Sequence, residues 1–269
     1  MKVRIIQPPL GALRTLYYAT AQCTHYEPEP YIFDRDNPDP IMEEKAKTTV
    51  MNAVKSGHDS VLEHVSFTFR ISDISRACTH QLVRHRMASY CQCSQRYVNA
   101  GKASFCFPWK VQADKELLKE AKHLVYATQQ FYQKCVDNGI PKEDARFFLP
   151  EGTSTAIVVT MNCRELMHFF NLRCCFRAQW EIRTVAWRML SKCKSWLPWL
   201  FEDVGPQCWK LGHCPEARKC SKYNKELDML PKDVDYAKFI NQQDDIDEEK
   251  EILPSFKEME IVKTIYEDV

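Results

Sequence analysis

VSFTFRISDISRACTHQLVRHRMASYCQCSQRY, residues 65–97, changes its periodicity twice. Val65 to Ile71 alternates apolar and polar side chains, the period-two mark of a half-buried strand. Asp73 then reads as the cap of a helix carrying Ile74, Ala77, Cys78, Gln81, Leu82 and His85 on one face. Arg84 and Arg86 fall in the last turn of that helix, where positive charge meets the negative dipole end. Met87 to Tyr97 reads as the loop that follows. Its cations are arginines with one histidine, interleaved with small hydroxyls. A planar guanidinium matches phosphate oxygens two at a time, whereas a lysine offers a point charge. Arg-His-Arg, then seven residues, then Ser94, Arg96 and Tyr97, suits more than one phosphate; an exposed basic helix end is the other reading.

Outward from this stretch the chain reads as α+β. Val3–Ile6 and Ala156–Val159 are further strand candidates. Residues 42–56 read as a helix ending at Gly57, and residues 113–137 as one ending before Asn138-Gly139 with Pro141 beyond. In the second, Leu117, Leu118, Ala121, Leu124, Val125, Thr128, Phe131, Tyr132 and Cys135 form one stripe expected to be core. Asn162 and Glu165 have the spacing of an N-cap with its Glu, opening a helix with Leu166, Phe169, Phe170 and Leu172 inward. A last helix runs from about Ala178 to Lys194 and stops before Pro198.

Composition bounds the function. The 269 residues are 45% hydrophobic, enough for one large domain or two small ones. No apolar run approaches the ~20 residues that cross a bilayer, and the N-terminus lacks the apolar centre of a signal peptide. Thirteen cysteines, an odd number scattered through apolar patterns, suit reduced thiols in a cytosol. Residues 221–269 carry 7 lysines against 14 acidic residues, which leaves +8 on residues 1–220, a charge that suits anionic ligands. With 7 glycines and neither G-x-G-x-x-G nor G-x-x-x-x-G-K-[ST], a dinucleotide would have to be held by side chains and helix ends.

The pattern R-H-R-x7-S resembles the signature of flavin-dependent thymidylate synthases. Two further blocks resemble that family in the correct order: Ser56–Phe69, and Arg146–Arg183 with its Leu149-Pro150, Asn162-Cys163-Arg164, Asn171-Leu172-Arg173 and Ala178-Gln179-Trp180-Glu181-Ile182. The resemblance covers roughly residues 1–205. It implies a twisted antiparallel sheet packed with long helices, a homotetramer with active sites between subunits, and a cytoplasmic enzyme. A catalytic domain would occupy residues 1–205 and a cysteine-containing, acidic extension residues 206–269. The implied reaction is the reductive methylation of dUMP to dTMP, with methylenetetrahydrofolate as carbon donor, FAD as cofactor and NADPH as reductant.

The same resemblance implies residue roles. Ser60, Glu63, Arg84, His85, Arg86, Gln92, Asn162, Arg164 and His168 match flavin-contacting positions. Gln81, Arg84, Gln92, Cys93, Ser94, Gln95, Arg96, Arg146 and Arg173 match dUMP-holding positions. Arg173 matches the uracil-activating residue, whose guanidinium stabilises charge on N3 and O4 and makes C5 nucleophilic without an enzyme thiol. Cys91 and Cys93 read as small neutral fillers. The chain departs from the family pattern at Cys91-Gln92, where Asn-Glu is usual, at Arg177, often His, and at His168, often Asn. His25, His80 and His123 read as surface or satisfied core residues, and His58 and His64 as structural or flavin-side.

A competing reading is a zinc-knuckle nucleic-acid-binding protein. In it Cys208, His213, Cys214 and Cys220 hold a metal while Arg84, Arg86 and Arg96 contact phosphates. An ordinary cysteine-containing loop is the plainer alternative, and the enzyme reading assigns no metal. Asp244–Glu251 reads as a solvated acidic segment, with Phe256, Ile261 and Ile265 as positions by which the tail docks.

Overall fold

The computed structural model describes residues 1–25 and 39–220; the acidic stretch and the tail positions Phe256, Ile261 and Ile265 lie outside them. Four strands, β1 (Lys2–Gln7), β2 (Ser66–Ser75), β3 (Ala88–Gln92) and β4 (Ser154–Asn162), form one antiparallel sheet of order β1-β2-β4-β3. The helices are α1 (Ala12–Gln22), α2 (Pro40–Lys55), α3 (Arg76–Leu82), α4 (Trp109–Gln112), α5 (Lys115–Asp137), α6 (Lys142–Ala145), α7 (Cys163–Arg173), α8 (Trp180–Trp196), α9 (Pro198–Phe201) and α10 (Gln207–Leu211). The α+β reading therefore holds.

One face of the sheet is apolar. Register pairs Val3 with Ile71, Ile5 with Phe69, Phe69 with Val159, and Ala88 and Phe67 with Met161. These side chains pack on Leu166, Phe169 and Phe170 of α7 and on Ile182, Val185 and Met189 of α8. Burying each such aliphatic or aromatic group is worth roughly 1.5–3 kcal/mol, so this layer dominates the stability. The opposite face is polar: Arg4 lies across from Arg70, and Thr68 hydrogen-bonds Thr160 at 3.0 Å.

Local chemistry sets the ends of the elements. Asp39 caps α2 with Pro40 in its first position, so the helix begins two residues before the pattern in the sequence suggests. Gly57 (φ 86°) and Gly139 (φ 81°) follow α2 and α5 in the left-handed region that only glycine enters without strain. Asn162 Oδ1 accepts from the Glu165 amide at 2.9 Å and caps α7 as expected.

Four expectations need correction. Asp73 caps nothing. It sits at φ 59° in a β-bulge between Ser72 and Ile74, which carries β2 onward and turns Ile74 into the core. Ser75 is the cap instead, its hydroxyl accepting from the Cys78 amide at 3.0 Å. Second, α3 stops at Leu82, so Arg84, His85 and Arg86 lie just past the helix. Third, Met87–Tyr97 is not all loop, because Ala88–Gln92 pairs with β4 as an edge strand. Fourth, the apolar stripe of α5 is only partly core. Val125, Tyr132 and Cys135 are buried, while Leu117, Leu124 and Phe131 are exposed; Leu172 of α7 is exposed as well.

The bulge and the cap are fixed from α8. Glu181, 3% exposed, accepts from the Ser75 amide at 2.7 Å and from the Ser75 hydroxyl at 2.5 Å. Its removal leaves two buried donors without an acceptor, at a cost of roughly 1–3 kcal/mol each. Glu181→Ala is therefore expected to lower the denaturant midpoint with unchanged slope; an unchanged midpoint contradicts this role.

Candidate active site

Two groups of polar side chains form at opposite ends of β3. At its start, His85 is 4% exposed, with Arg84 and Arg86 exposed on either side. Tyr90 pins the turn: its hydroxyl lies 2.8 Å from both the Leu82 and the His85 carbonyl, its one proton shared between them. The His85 ring lies edge-on to Phe169, with centroids 4.8 Å apart, and 5.9 Å from the ring of His168. Its Nε2 accepts from Arg173 Nε at 3.1 Å, and its Nδ1 meets Glu165 Oε1 at 3.1 Å. A guanidinium nitrogen only donates, so Nε2 carries no proton and Nδ1 donates to the carboxylate. Burial, with Arg173 and His168 adding to it, lowers His85 to about 4; the imidazole is neutral at pH 7. Burial also raises Glu165, against the pull of His168.

The row continues along α7. Arg164 and His168 are four residues apart on one exposed face. Arg164 bonds Glu63 at 2.5 Å and Asp59 at 3.1 Å, both in the 3-10 turn Asp59–His64 that also carries exposed Ser60. Ser60, Glu63, Arg84, His85, Arg86, Arg164 and His168 are thus brought to one region. Asn162 serves as the α7 cap, and Gln92 donates to Thr79 Oγ1 at 2.9 Å, tying β3 to α3.

At the far end of β3 a second group forms. Ser94 Oγ accepts from the Arg96 amide at 3.2 Å, and the Arg96 guanidinium pairs with Glu143. Arg146 donates to the Glu143 carbonyl at 3.1 Å, and Lys142 to the Tyr97 carbonyl at 2.9 Å. Ser94 and Arg96 therefore share one patch with Arg146, which lies 50 residues beyond Arg96 in sequence. Eight residues from Arg86 to Ser94, five of them in β3, separate the two groups along the chain.

Thiols contribute little to either group. Burial pushes Cys163 up to about 12 and Cys78, Cys174 and Cys193 well above the ordinary thiol range, so these stay protonated. Cys91 alternates with Tyr90 and Gln92 and so points away from His85, on the exposed side of β3. Arg177 bonds Glu216 at 2.6 Å and the Arg218 carbonyl at 3.0 Å, holding residues 216–218 to the body. Among the described residues no group of three or more His, Cys, Asp or Glu side chains is arranged to hold a metal ion.

Sequence reasoning missed Glu143, which joins Arg96 to Arg146, and the side chain of Glu165, recognised only as a capping partner. Its i+3 spacing from Asn162 was the visible signal, and it pointed to the cap instead of to His85.

A model of the family described as "Thymidylate synthase complementing protein" matches residues 4–199. The chain belongs to the flavin-dependent thymidylate synthase family. It is 47% identical over 184 residues to the flavin-dependent thymidylate synthase of Pyrococcus abyssi, covering 65% of this chain and 75% of that one. It is 42% identical over 232 residues to that of Nitratidesulfovibrio vulgaris, covering 82% and 95%. Against that of Geobacter sulfurreducens it is 53% identical over 162 residues, covering 60% and 69%.

A buried neutral histidine makes stability depend on pH. The unfolded imidazole titrates near 6.5 and the folded one near 4, so between these values only the unfolded chain takes the proton. The stabilisation is present above pH 6.5 and is lost as pH falls from 6.5 toward 4. The thermal midpoint of the wild type should fall between pH 7 and pH 5 more steeply than that of His85→Gln; parallel slopes contradict the assignment.

Proposed function

We propose that the two ends of β3 hold the two ligands of a flavin-dependent thymidylate synthase, which methylates dUMP reductively to dTMP with methylenetetrahydrofolate as carbon donor. The observation that carries this reading is the gathering of Ser94, Arg96 and Arg146 into one patch. A phosphomonoester takes one hydroxyl and two guanidiniums, and Glu143 holds those guanidiniums until it arrives. Gln81, Arg84, Gln92, Cys93 and Gln95 complete the assigned nucleotide positions.

The residues at the start of β3 fit FAD. Its pyrophosphate needs cations, and Arg84 and Arg86 offer exposed guanidiniums where no glycine loop exists. Ser60, Glu63, His85, Gln92, Asn162, Arg164 and His168 are the other assigned contacts, donors and acceptors of the kind ring nitrogens and carbonyls take. When bound, the flavin supplies the reducing equivalents delivered by NADPH. Arg173 places its guanidinium beside the uracil and stabilises negative charge on N3 and O4, raising the nucleophilicity of C5. His85, neutral, leaves that charge undiluted.

Assembly as a homotetramer is part of the same reading. In it, β3 sets the two groups apart along the chain, and a neighbouring protomer brings the second group to the reaction centre. Leu117, Leu124 and Phe131 repeat every seven residues as an exposed stripe on α5, with exposed Phe147 and Phe148 beside them. That surface suits burial against another copy. We assign residues 1–205 to the catalytic domain and residues 206–269 to an extension whose α10 sets Trp209 on Trp187, ring centroids 5.8 Å apart. No described helix is long and apolar enough to cross a membrane, and we place the enzyme in the cytoplasm. The zinc-knuckle reading gains no support from the relatives named above, each a flavin-dependent thymidylate synthase by name.

The purified protein should be yellow and should bleach on addition of NADPH. Arg173→Ala should keep its flavin yet lose methylation by about 10²-fold or more, the scale set by removing one charge-stabilising donor. Retained turnover contradicts the role of Arg173, and a colourless protein contradicts the reading as a whole. Cys91→Ala and Cys93→Ala should each keep activity within about threefold, since no thiol is consumed in the step; loss of activity in either would show a sulfur nucleophile.

A further inference from the structure

We propose that Glu165 is a positioning residue that sets the orientation of Arg173 through His85. The proposal rests on the reading of Arg173 as the group that activates the uracil, and adds what holds that group in place.

Glu165 is 9% exposed and lies in the first turn of α7, while Arg173 is in the last. They lie eight residues apart and do not touch; the imidazole of His85 fills the space between them, arriving from beyond α3. The Glu165 amide is taken by the Asn162 cap, so the carboxylate is not needed to start the helix. It turns to His85 Nδ1 instead. Because that nitrogen must donate to the carboxylate, Nε2 is left as the acceptor and takes the hydrogen bond from Arg173 Nε.

The chain carboxylate, imidazole, guanidinium therefore runs in one direction. The groups facing the ring are these: Arg173 and Glu165 bond its two nitrogens, Phe169 packs against it in an edge-to-face arrangement, and exposed His168 lies beside it on α7. From β3, Tyr90 fixes its backbone. Holding Arg173 by Nε alone leaves its two terminal nitrogens without a protein partner among the described residues, and so presents them to a ligand. A guanidinium pinned along one edge cannot swing away from the pyrimidine. Without Glu165, the imidazole is free to carry its proton on Nε2, where it would confront the Arg173 N–H and displace it.

The test compares Glu165→Ala and Glu165→Gln as flavin-loaded holoenzymes with dUMP, methylenetetrahydrofolate and NADPH. In Glu165→Ala, kcat should fall about 10- to 100-fold, the scale of a misplaced reacting group, with KM for dUMP and bound flavin changed less than about twofold. Glu165→Gln still offers an acceptor to Nδ1 and should stay within about threefold of wild-type kcat. Should Glu165→Ala not fold, Glu165→Asp, one methylene too short to reach the ring, takes its place with the same expected loss. Wild-type kcat in the shortened or truncated variant overturns the proposal. So does parallel loss of flavin, dUMP affinity and kcat in both Ala and Gln variants, which would mark a structural role. Arg173→Ala run alongside separates the two ideas: if it is inactive while Glu165→Ala is fully active, only the positioning role fails, and if it is active the uracil-activating role itself fails.

Discussion

A neutral imidazole held between a carboxylate and a guanidinium is the contact on which the site depends. Glu165 and Arg173 belong to the same helix, whose apolar side is sealed against the sheet by Leu166, Phe169 and Phe170. His85 belongs to the turn after α3, and reaches α7 only because Tyr90 clamps the His85 and Leu82 carbonyls. Shifting either element breaks both hydrogen bonds of the ring. A charged histidine would lose the bond from Arg173, because a protonated Nε2 cannot accept, and burial opposes that by making the proton costly.

The sheet provides the frame for this contact. Strands β2 and β4 run in register for nearly their whole length, and the bulge at Asp73 shifts the inward side chains so that Ile74 follows Ile71 into the core. That shift brings Ser75 to the carboxylate of Glu181 and starts α3 where its end delivers Arg84, His85 and Arg86. Strand β3 then acts as a spacer. The seven residues between Arg86 and Ser94, which in sequence look like an interval in a motif, are mostly a strand on the sheet edge, and they separate two groups of polar side chains.

Much of this was legible in the sequence where the pattern was local. Phe67, Phe69 and Ile71 alternate because one face of β2 is buried, and the Asn162 cap and the glycines after α2 and α5 mark true ends. What was hidden depends on partners distant in sequence. Ala88-Ser89-Tyr90-Cys91-Gln92 has weak strand character of its own and becomes a strand by pairing with β4, some 70 residues on. Nothing near Asp73 distinguishes a helix cap from a bulge, because the choice is made by Thr153, Thr155 and Glu181. The α5 stripe looks like core in the sequence because periodicity reports an apolar face without saying what covers it. The resemblance brought the candidate residues together by family position, and the structure sorts them into two groups.

Joining those groups across protomers is the central claim, and a structure of the flavin-loaded protein in its solution assembly with dUMP bound tests it most directly. The account predicts the phosphate between Ser94, Arg96 and Arg146 of one protomer, with the uracil against the terminal nitrogens of Arg173 from a neighbouring protomer. A dUMP whose phosphate lies elsewhere, or whose ring is remote from every Arg173 in the assembly, contradicts it.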